Sequence, residues 1–116
     1  MSVVYIVQQT IHDRDYSSAE KYGRLQFILS VADRPSIMPE SALVKIEEAL
    51  KKFREDEDYI TWSGGDPIAP LLVGYILARK APVLRKQFRY LRWERVRDSN
   101  GFRSQEGFYV PTNITL

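Results

Sequence analysis

The side chains best suited to chemistry in this 116-residue sequence are a few polar residues that follow apolar segments. His12 is the single histidine, and its place beside Asp13 suits acid–base catalysis. Ser63 is the candidate nucleophile, although no Gly-x-Ser-x-Gly elbow surrounds it. If the protein is an enzyme, we expect catalysis from His12, Asp13, Ser63 and Asp66. We favour a non-enzymatic protein, because a polar loop that includes one histidine is the more common outcome.

Metal and cofactor chemistry have little support in the sequence. There is no cysteine and no second histidine to join His12 as a ligand, so we expect no metal site. The turn formed by Ser63, Gly64, Gly65 and Asp66 precedes a predicted helix and could receive an anion on its backbone N–H groups. It matches neither the Walker nor the dinucleotide-binding pattern, and Pro67 removes one donor. We expect no cofactor, and capping of the helix by Asp66 explains this turn without a ligand.

A third group of residues is strongly basic. Residues 79–104 hold nine Lys or Arg and two acidic residues, a net charge of +7, whereas the remainder of the chain carries −5. Arginines alternate with Phe88, Tyr90 and Trp93, a composition suited to phosphate contacts and base stacking. An acidic protein surface is an equally natural partner. The candidate macromolecule-binding residues are Arg85, Lys86, Arg89, Arg92, Arg95, Arg97 and Arg103.

Three apolar segments predict the strands that position these groups: Ser2–Gln9, Arg24–Val31 and Tyr59–Trp62. Between them, Ser17 and Glu20 have the spacing of a capping box for a short helix Ser18–Tyr22 that stops at Gly23. The amphipathic pattern of Glu40–Arg54 predicts a second helix. A third helix begins at Pro67 and is apolar on most sides, which predicts burial against a sheet.

The C-terminal part of the chain is predicted to form a hairpin. Arg85–Arg97 alternates as a strand does, with Tyr90 and Arg92 on one face and Leu91 and Trp93 on the other. Residues 98–101 (Asp-Ser-Asn-Gly) are typical of a hairpin turn. The last strand, Gly107–Leu116, contains Pro111, which indicates an edge position.

The order of elements predicts a single α/β domain. Strands joined through helices favour a parallel sheet, and the C-terminal hairpin adds an antiparallel pair. We therefore expect a small three-layer sandwich, Rossmann-like in plan, with a mixed sheet of about five strands. Ligands of such sheets bind at the carboxyl ends of the strands. We expect the loops there to bring together His12, Asp13, Asp15, Ser30, Asp33, Ser63 and Asp66.

Several short patterns also resemble a group of small uncharacterised proteins encoded by bacteriophages. They are Val-Tyr-Ile-Val-Gln in the first strand, Ser-Ala-x-Lys-Tyr-Gly up to Gly23, Gly-Asp-Pro before the third helix, and Tyr-Leu-Arg-Trp-Glu-Arg followed by Tyr-Val-Pro. The resemblance implies an accessory role in a virus or prophage and supplies no active site.

The leading hypothesis is a non-enzymatic phage-type accessory protein that binds a host or viral macromolecule through its basic C-terminal hairpin. Alternatives are a nucleic-acid-binding protein that uses the same hairpin, and a small enzyme or nucleotide or phosphate binder at the strand ends. The sequence shows no signal peptide and no apolar stretch long enough for a bilayer, so we expect a cytoplasmic protein, in the host cytoplasm if viral. Pairing of exposed edge strands leaves a homodimer open.

Overall fold

The structure is a computed structural model, and it describes residues 2–10, 16–62, 64–79, 87–97, 100–101 and 103–115. Two α-helices and one 3₁₀ helix accompany five strands in these segments. The strands are β1 (Val3–Gln8), β2 (Arg24–Leu29), β3 (Tyr59–Thr61), β4 (Gln87–Arg97) and β5 (Arg103–Thr115). The helices are the 3₁₀ helix (Ser17–Tyr22), α1 (Pro39–Ala49) and α2 (Ile68–Arg79).

The five strands form one mixed sheet in the order β2-β1-β3-β4-β5. β2, β1 and β3 are parallel to one another, and β4 and β5 pair antiparallel, as the sequence predicted. β4 also runs parallel to β3, with Ile60 opposite Tyr90. The Thr61 hydroxyl donates to the Leu91 carbonyl at 2.7 Å, which adds a side-chain link at this junction. The α/β class and the C-terminal hairpin are therefore confirmed.

One face of the sheet is covered by α1 and α2. The apolar residues of both helices pack with alternate residues of β1, including Val3, Tyr5 and Val7. Ile46 and Val73 are the buried centres of α1 and α2 in this cluster. We call this side of the sheet the helical face. Burial of these side chains is the main stabilising term for this layer.

The opposite face is covered by the 3₁₀ helix. Val4 and Ile6 of β1 point to this side and pack with Ala19, while Leu91 and Tyr109 extend the cluster across β4 and β5. All six residues of β1 are buried, because both faces of this strand are covered. That double cover explains why the strand is continuously apolar from Val3 to Val7.

Some predicted boundaries were wrong. No side chain caps the 3₁₀ helix, so the predicted capping box is absent; the helix begins on the Tyr16 carbonyl, which accepts from Ala19 N–H at 2.9 Å. α1 ends at Ala49 instead of reaching Arg54. Beyond it, the N–H groups of Lys51 and Phe53 donate to carbonyls three residues back, and the Asp58 carboxylate then accepts the Arg54 N–H at 2.8 Å. β5 begins four residues earlier than predicted, which lengthens the hairpin.

The third helix also departs from its prediction. Ala69, Val73 and Ile76 of α2 are buried, but Leu71 and Tyr75 are 66% and 55% exposed. The sequence of α2 is apolar on most sides, but only one side of the helix is buried. The exposed side of α2 is considered below.

Candidate functional site

The carboxyl ends of β1, β2 and β3 are joined by one buried side chain, Gln8. Its amide nitrogen donates to the Ser30 carbonyl at 3.0 Å and to the Asp33 carbonyl at 2.8 Å. Its amide oxygen accepts the Asp66 N–H at 2.8 Å. Gln8 is 3% exposed. It therefore fixes the loops after β2 and β3 relative to the end of β1.

Gly65 is required by this arrangement. Its φ is +100°, and a Cβ atom built there would lie 2.6 Å from the Gln8 amide oxygen. Both the backbone conformation and the close approach exclude a larger residue. The Gly-Gly pair of the predicted anion-binding turn thus has a structural role in this loop.

Asp66 caps α2 as predicted. One carboxylate oxygen accepts the Ile68 N–H at 3.0 Å, and the other accepts the Ser36 N–H at 2.9 Å and the Ser36 hydroxyl. The hydrogen bonds from Ser36 hold the pKa of Asp66 below its ordinary value. A negative charge therefore already lies at the helix start, where a bound anion would otherwise be stabilised by the same N–H groups.

Asp33 forms a second polar contact beside these loops. Its carboxylate accepts from the Ser30 N–H at 2.8 Å and pairs with Lys45. Burial acts to raise the pKa of Asp33, but the hydrogen bonds from Lys45 and Ser30 outweigh it and lower the pKa. These contacts anchor the loop after β2 to α1.

The strand-end site predicted from the sequence is described only in part. Gly64, Gly65 and Asp66 lie together beside Gln8, whereas His12, Asp13 and Ser63 lie outside the described residues. No group of three acidic, histidine or cysteine side chains that could hold a metal ion occurs within the described segments. The sequence prediction missed Gln8, although an amide side chain at the carboxyl end of a buried apolar strand is a recognisable signal.

The second candidate site is the β4–β5 hairpin, and its arginines differ in their surroundings. Arg89 is half-buried and donates to the Asp56 carbonyl at 2.8 Å and to the Tyr59 hydroxyl. Its guanidinium carbon also lies 4.4 Å from the centre of the Tyr59 ring. Arg89 therefore joins β4 to β3 and is part of the fold.

Arg92 and Arg95 are the exposed arginines of β4 whose side chains the structure describes. Arg92 pairs with Glu94 on the helical face, and both side chains are about half exposed. Arg95 projects from the other face, opposite Gly107. Arg97 and Arg103 are opposite each other near the hairpin turn, while Arg85 and Lys86 lie outside the described residues.

The aromatic residues of the hairpin are largely occupied by packing. The Tyr90 hydroxyl accepts the backbone N–H of Trp62 at 3.2 Å and donates to the Trp62 carbonyl at 3.0 Å. The Trp93 and Tyr109 rings pack edge-to-face, with their centres 4.9 Å apart. Gly107 permits this packing, because a Cβ there would lie 2.6 Å from the Trp93 ring. The predicted alternation of faces along β4 is confirmed for these residues.

β5 is the edge strand that Pro111 predicted. Among the strands that the structure describes, β4 is its one neighbour. Phe108 and Ile114 of β5 are 46% and 50% exposed and share the helical face with Arg92. Proline has no N–H to donate to a neighbouring strand. At Pro111, the nitrogen is therefore on the side of β5 that faces away from β4. The hairpin thus presents apolar and basic side chains next to an open strand edge.

Neither α1 nor α2, nor any shorter helix of the described segments, has both the length and the apolar character needed to cross a membrane.

No curated protein and no solved structure matches this chain. A family model described as "Phage Pam3 gp32-like protein" matches residues 2–114, which is almost the entire sequence. The resemblance to phage-encoded proteins is confirmed by this match, and the chain belongs to the family of Phage Pam3 gp32-like proteins.

Proposed function

We propose that this protein is a phage accessory protein that binds an acidic protein segment through its β4–β5 hairpin. The observation that carries the proposal is the open edge of β5, a 13-residue strand that shows exposed apolar side chains beside arginines. Long exposed edge strands readily accept a further strand unless they are protected. The single proline of β5 protects this edge at one position only.

Side-chain placement supports an extended acidic partner. A strand added along β5 would alternate its side chains between the two faces of the sheet. On one face it would meet Phe108 and Ile114 of β5. Arg92 and Arg95 lie one strand further in, on β4, opposite Val110 and Gly107, and their long side chains can extend across β5 toward the added strand, one on each face. Apolar contacts would supply affinity there, while the arginines would favour carboxylates and fix the register.

Nucleic-acid binding by the same hairpin has weaker support. Stacking on bases needs accessible aromatic faces, but Tyr90 and Trp93 are engaged with Trp62 and Tyr109. Arg89 is held by the Asp56 carbonyl and by Tyr59, so it is not available to a phosphate backbone. The stacking groups and one of the arginines that a nucleic acid would need are therefore occupied inside the fold.

A nucleotide or phosphate site at the strand ends is also less favoured. The carboxylate of Asp66 lies at the start of α2, where such a ligand would need the N–H groups for itself. His12, Asp13 and Ser63 remain predictions from the sequence.

The test uses a double charge reversal, Arg92→Glu with Arg95→Glu. Arg89 is left unchanged because its reversal would break contacts inside the fold. The control reverses two exposed cations outside the hairpin, Arg24→Glu on β2 with Lys52→Glu after α1. We expect the native protein and the control to capture the same acidic partner from infected cells. The hairpin variant should capture about tenfold less of this partner, or even less than that. Equal capture by all three proteins would contradict the proposal.

A second variant tests addition of a strand at the β5 edge. Asn113 follows Pro111 by two residues, so its N–H points away from β4 as well. Asn113→Pro should therefore weaken partner binding without loss of the β4–β5 ladder. Fluorescence anisotropy with labelled DNA and RNA at two salt concentrations tests the alternative. Affinity that falls steeply with salt and is lost on reversal of Arg92 and Arg95 would favour nucleic acid instead.

A further inference from the structure

The exposed side of α2 carries no charge before Arg79, the last residue of the helix. Residues 68–78 (Ile-Ala-Pro-Leu-Leu-Val-Gly-Tyr-Ile-Leu-Ala) contain no ionisable group other than the tyrosine hydroxyl. Exposed helix faces of globular proteins are normally charged or polar. Leu71, Gly74, Tyr75 and Ala78 are instead exposed here, at the spacing that places them on one stripe of the helix. We call these four residues the α2 stripe.

The α2 stripe combines two large residues with two small ones. Gly74 and Ala78 lie one turn apart, and a Cβ added at Gly74 would meet nothing within 4 Å. Small residues at this spacing let another helix approach closely. Leu71 and Tyr75 flank them as exposed apolar groups. The surface therefore has both depressions and projections of apolar character.

We propose that the α2 stripe is the interface of a homodimer, in which α2 of each copy packs antiparallel against α2 of the other. A two-fold axis between Gly74 and Tyr75 places each large residue against a small one. Leu71 then faces Ala78 of the second copy, and Tyr75 faces Gly74 of the second copy. A single patch is thus complementary to itself, as a two-fold interface requires.

The antiparallel orientation also suits the charges at the helix ends. Arg79, at the C-terminal end of α2, pairs loosely with Glu47 of its own chain at 3.8 Å, and in this arrangement it lies opposite Pro70 of the second copy, one turn from Asp66. The opposed helix dipoles attract in the same way. A parallel pair would instead bring arginine against arginine and leucine against leucine. Shape and charge therefore both select the antiparallel pair.

A second copy accounts for the size of the surface as well. α2 has 12 residues and is about 18 Å long, which alone is too short for a stable interface of about 800 Å² per partner. The neighbouring part of the helical face supplies further exposed apolar groups, Ile37, Met38 and Val44. Ile37 and Met38 follow Ser36, which is bonded to Asp66 at the start of α2. The interface thus extends from α2 onto the adjacent start of α1.

The first test measures oligomeric state by sedimentation equilibrium. We expect the 13.5 kDa chain to form a dimer of twice that mass with a dissociation constant in about the micromolar range. Gly74→Glu should weaken dimerisation about a hundredfold or more, because it buries an unpaired charge. The monomer should remain folded, since glutamate suits a helix interior better than glycine does. Asn113→Glu, which adds the same charge on β5, should dimerise as the native chain does.

The second test uses the absence of cysteine from the sequence, which makes any introduced thiol unique. Gly74→Cys should form a disulfide between copies on oxidation, because the two Gly74 positions lie next to the axis, offset by only one residue along the helices. Leu71→Cys alone should not, since antiparallel packing separates the two Leu71 positions by about 10 Å along the helices. Leu71→Cys combined with Ala78→Cys should form a disulfide between the two copies.

Several results would overturn the proposal. They are a native chain that stays monomeric up to millimolar concentration, equal dimerisation by native and Gly74→Glu proteins, and cross-linking by Leu71→Cys alone. Dimerisation lost in Asn113→Glu but retained in Gly74→Glu would place the interface on the hairpin. The dimer interface and the proposed partner-binding surface are different parts of the molecule. Arg92→Glu with Arg95→Glu should therefore lose the partner and still dimerise normally. Failure of one proposal is therefore distinguishable from failure of the other.

Discussion

Replacement of Gln8 by leucine separates the hydrogen bonds of this side chain from its volume. Leucine is close to glutamine in size and is compatible with a buried strand position, so the main change is the loss of three hydrogen bonds. They join the side chain to the carbonyls of Ser30 and Asp33 and to the N–H of Asp66. The substitution leaves those three backbone groups without this partner.

The expected cost follows from the surroundings of these groups. All three contacts are only partly buried, so water can replace some of what is lost. At about 1 kcal/mol for each bond, Gln8→Leu should lower the free energy of unfolding by about 3 kcal/mol. A domain of this size is stable by about 5–15 kcal/mol, so the loss is a large fraction of the total.

Urea unfolding followed by tryptophan fluorescence measures this difference. The midpoint should fall by about 1–2 M for a chain of this length. Gln9→Leu is the matched control, because Gln9 is the adjacent residue, carries the same side chain and is exposed. It should change the stability by less than about 0.5 kcal/mol. Equal midpoints for the two variants would refute the assigned role of Gln8.

Gln8→Glu distinguishes the donors of this side chain from its acceptor. The carboxylate can still accept the Asp66 N–H but would place negative charge beside the carbonyls of Ser30 and Asp33. The variant should therefore be less stable than the native protein at neutral pH and recover part of the difference as the glutamate is protonated. A loss of stability that does not change with pH would contradict this explanation.

Two further predictions concern pH and packing. The pKa values of Asp33 and Asp66 are lowered in the folded protein, so the stability that they contribute is present above the ordinary value of 3.8 and is lost as the pH falls through the lowered values. Acid titration of unfolding should show this loss, and Asp66→Asn should reduce it; an unchanged profile would contradict it. Gly107→Ala should cost about 1–3 kcal/mol, because its Cβ would lie 2.6 Å from the Trp93 ring. Thermal unfolding with unchanged stability would exclude this clash.

The sheet could be predicted from the sequence because its signals are local. The apolar segments near Val3 and Tyr59 and the edge position of Pro111 each follow from a few adjacent residues. The Asp66 cap of α2 follows from the same kind of signal, since the capping side chain and the N–H that it accepts are two residues apart. Such features depend little on the rest of the chain.

Features set by distant contacts could not be predicted. The segment after α1 is not helical up to Arg54 as predicted, and Asp58 joins it to β1 by accepting both the Arg54 N–H and the Val3 N–H, 55 residues away, at 2.9 Å. The basic character of β4 was visible, but not that Arg89 is bound by the Asp56 carbonyl and by Tyr59. Composition gives the charge of a segment, whereas only the fold decides which charges remain exposed.

The two proposed surfaces together indicate how a small protein could bind a repetitive partner. α2 contacts β1 near the centre of the sheet, while β5 lies at one edge, so pairing through α2 leaves the edges of both copies open. Each dimer would then carry two hairpins. A partner that displays its acidic segment many times would bind both at once, and the second contact would be intramolecular. Gly74→Glu should therefore reduce capture of a multivalent partner much more than capture of a single soluble segment. Equal loss for both would show that α2 contributes to the binding surface directly.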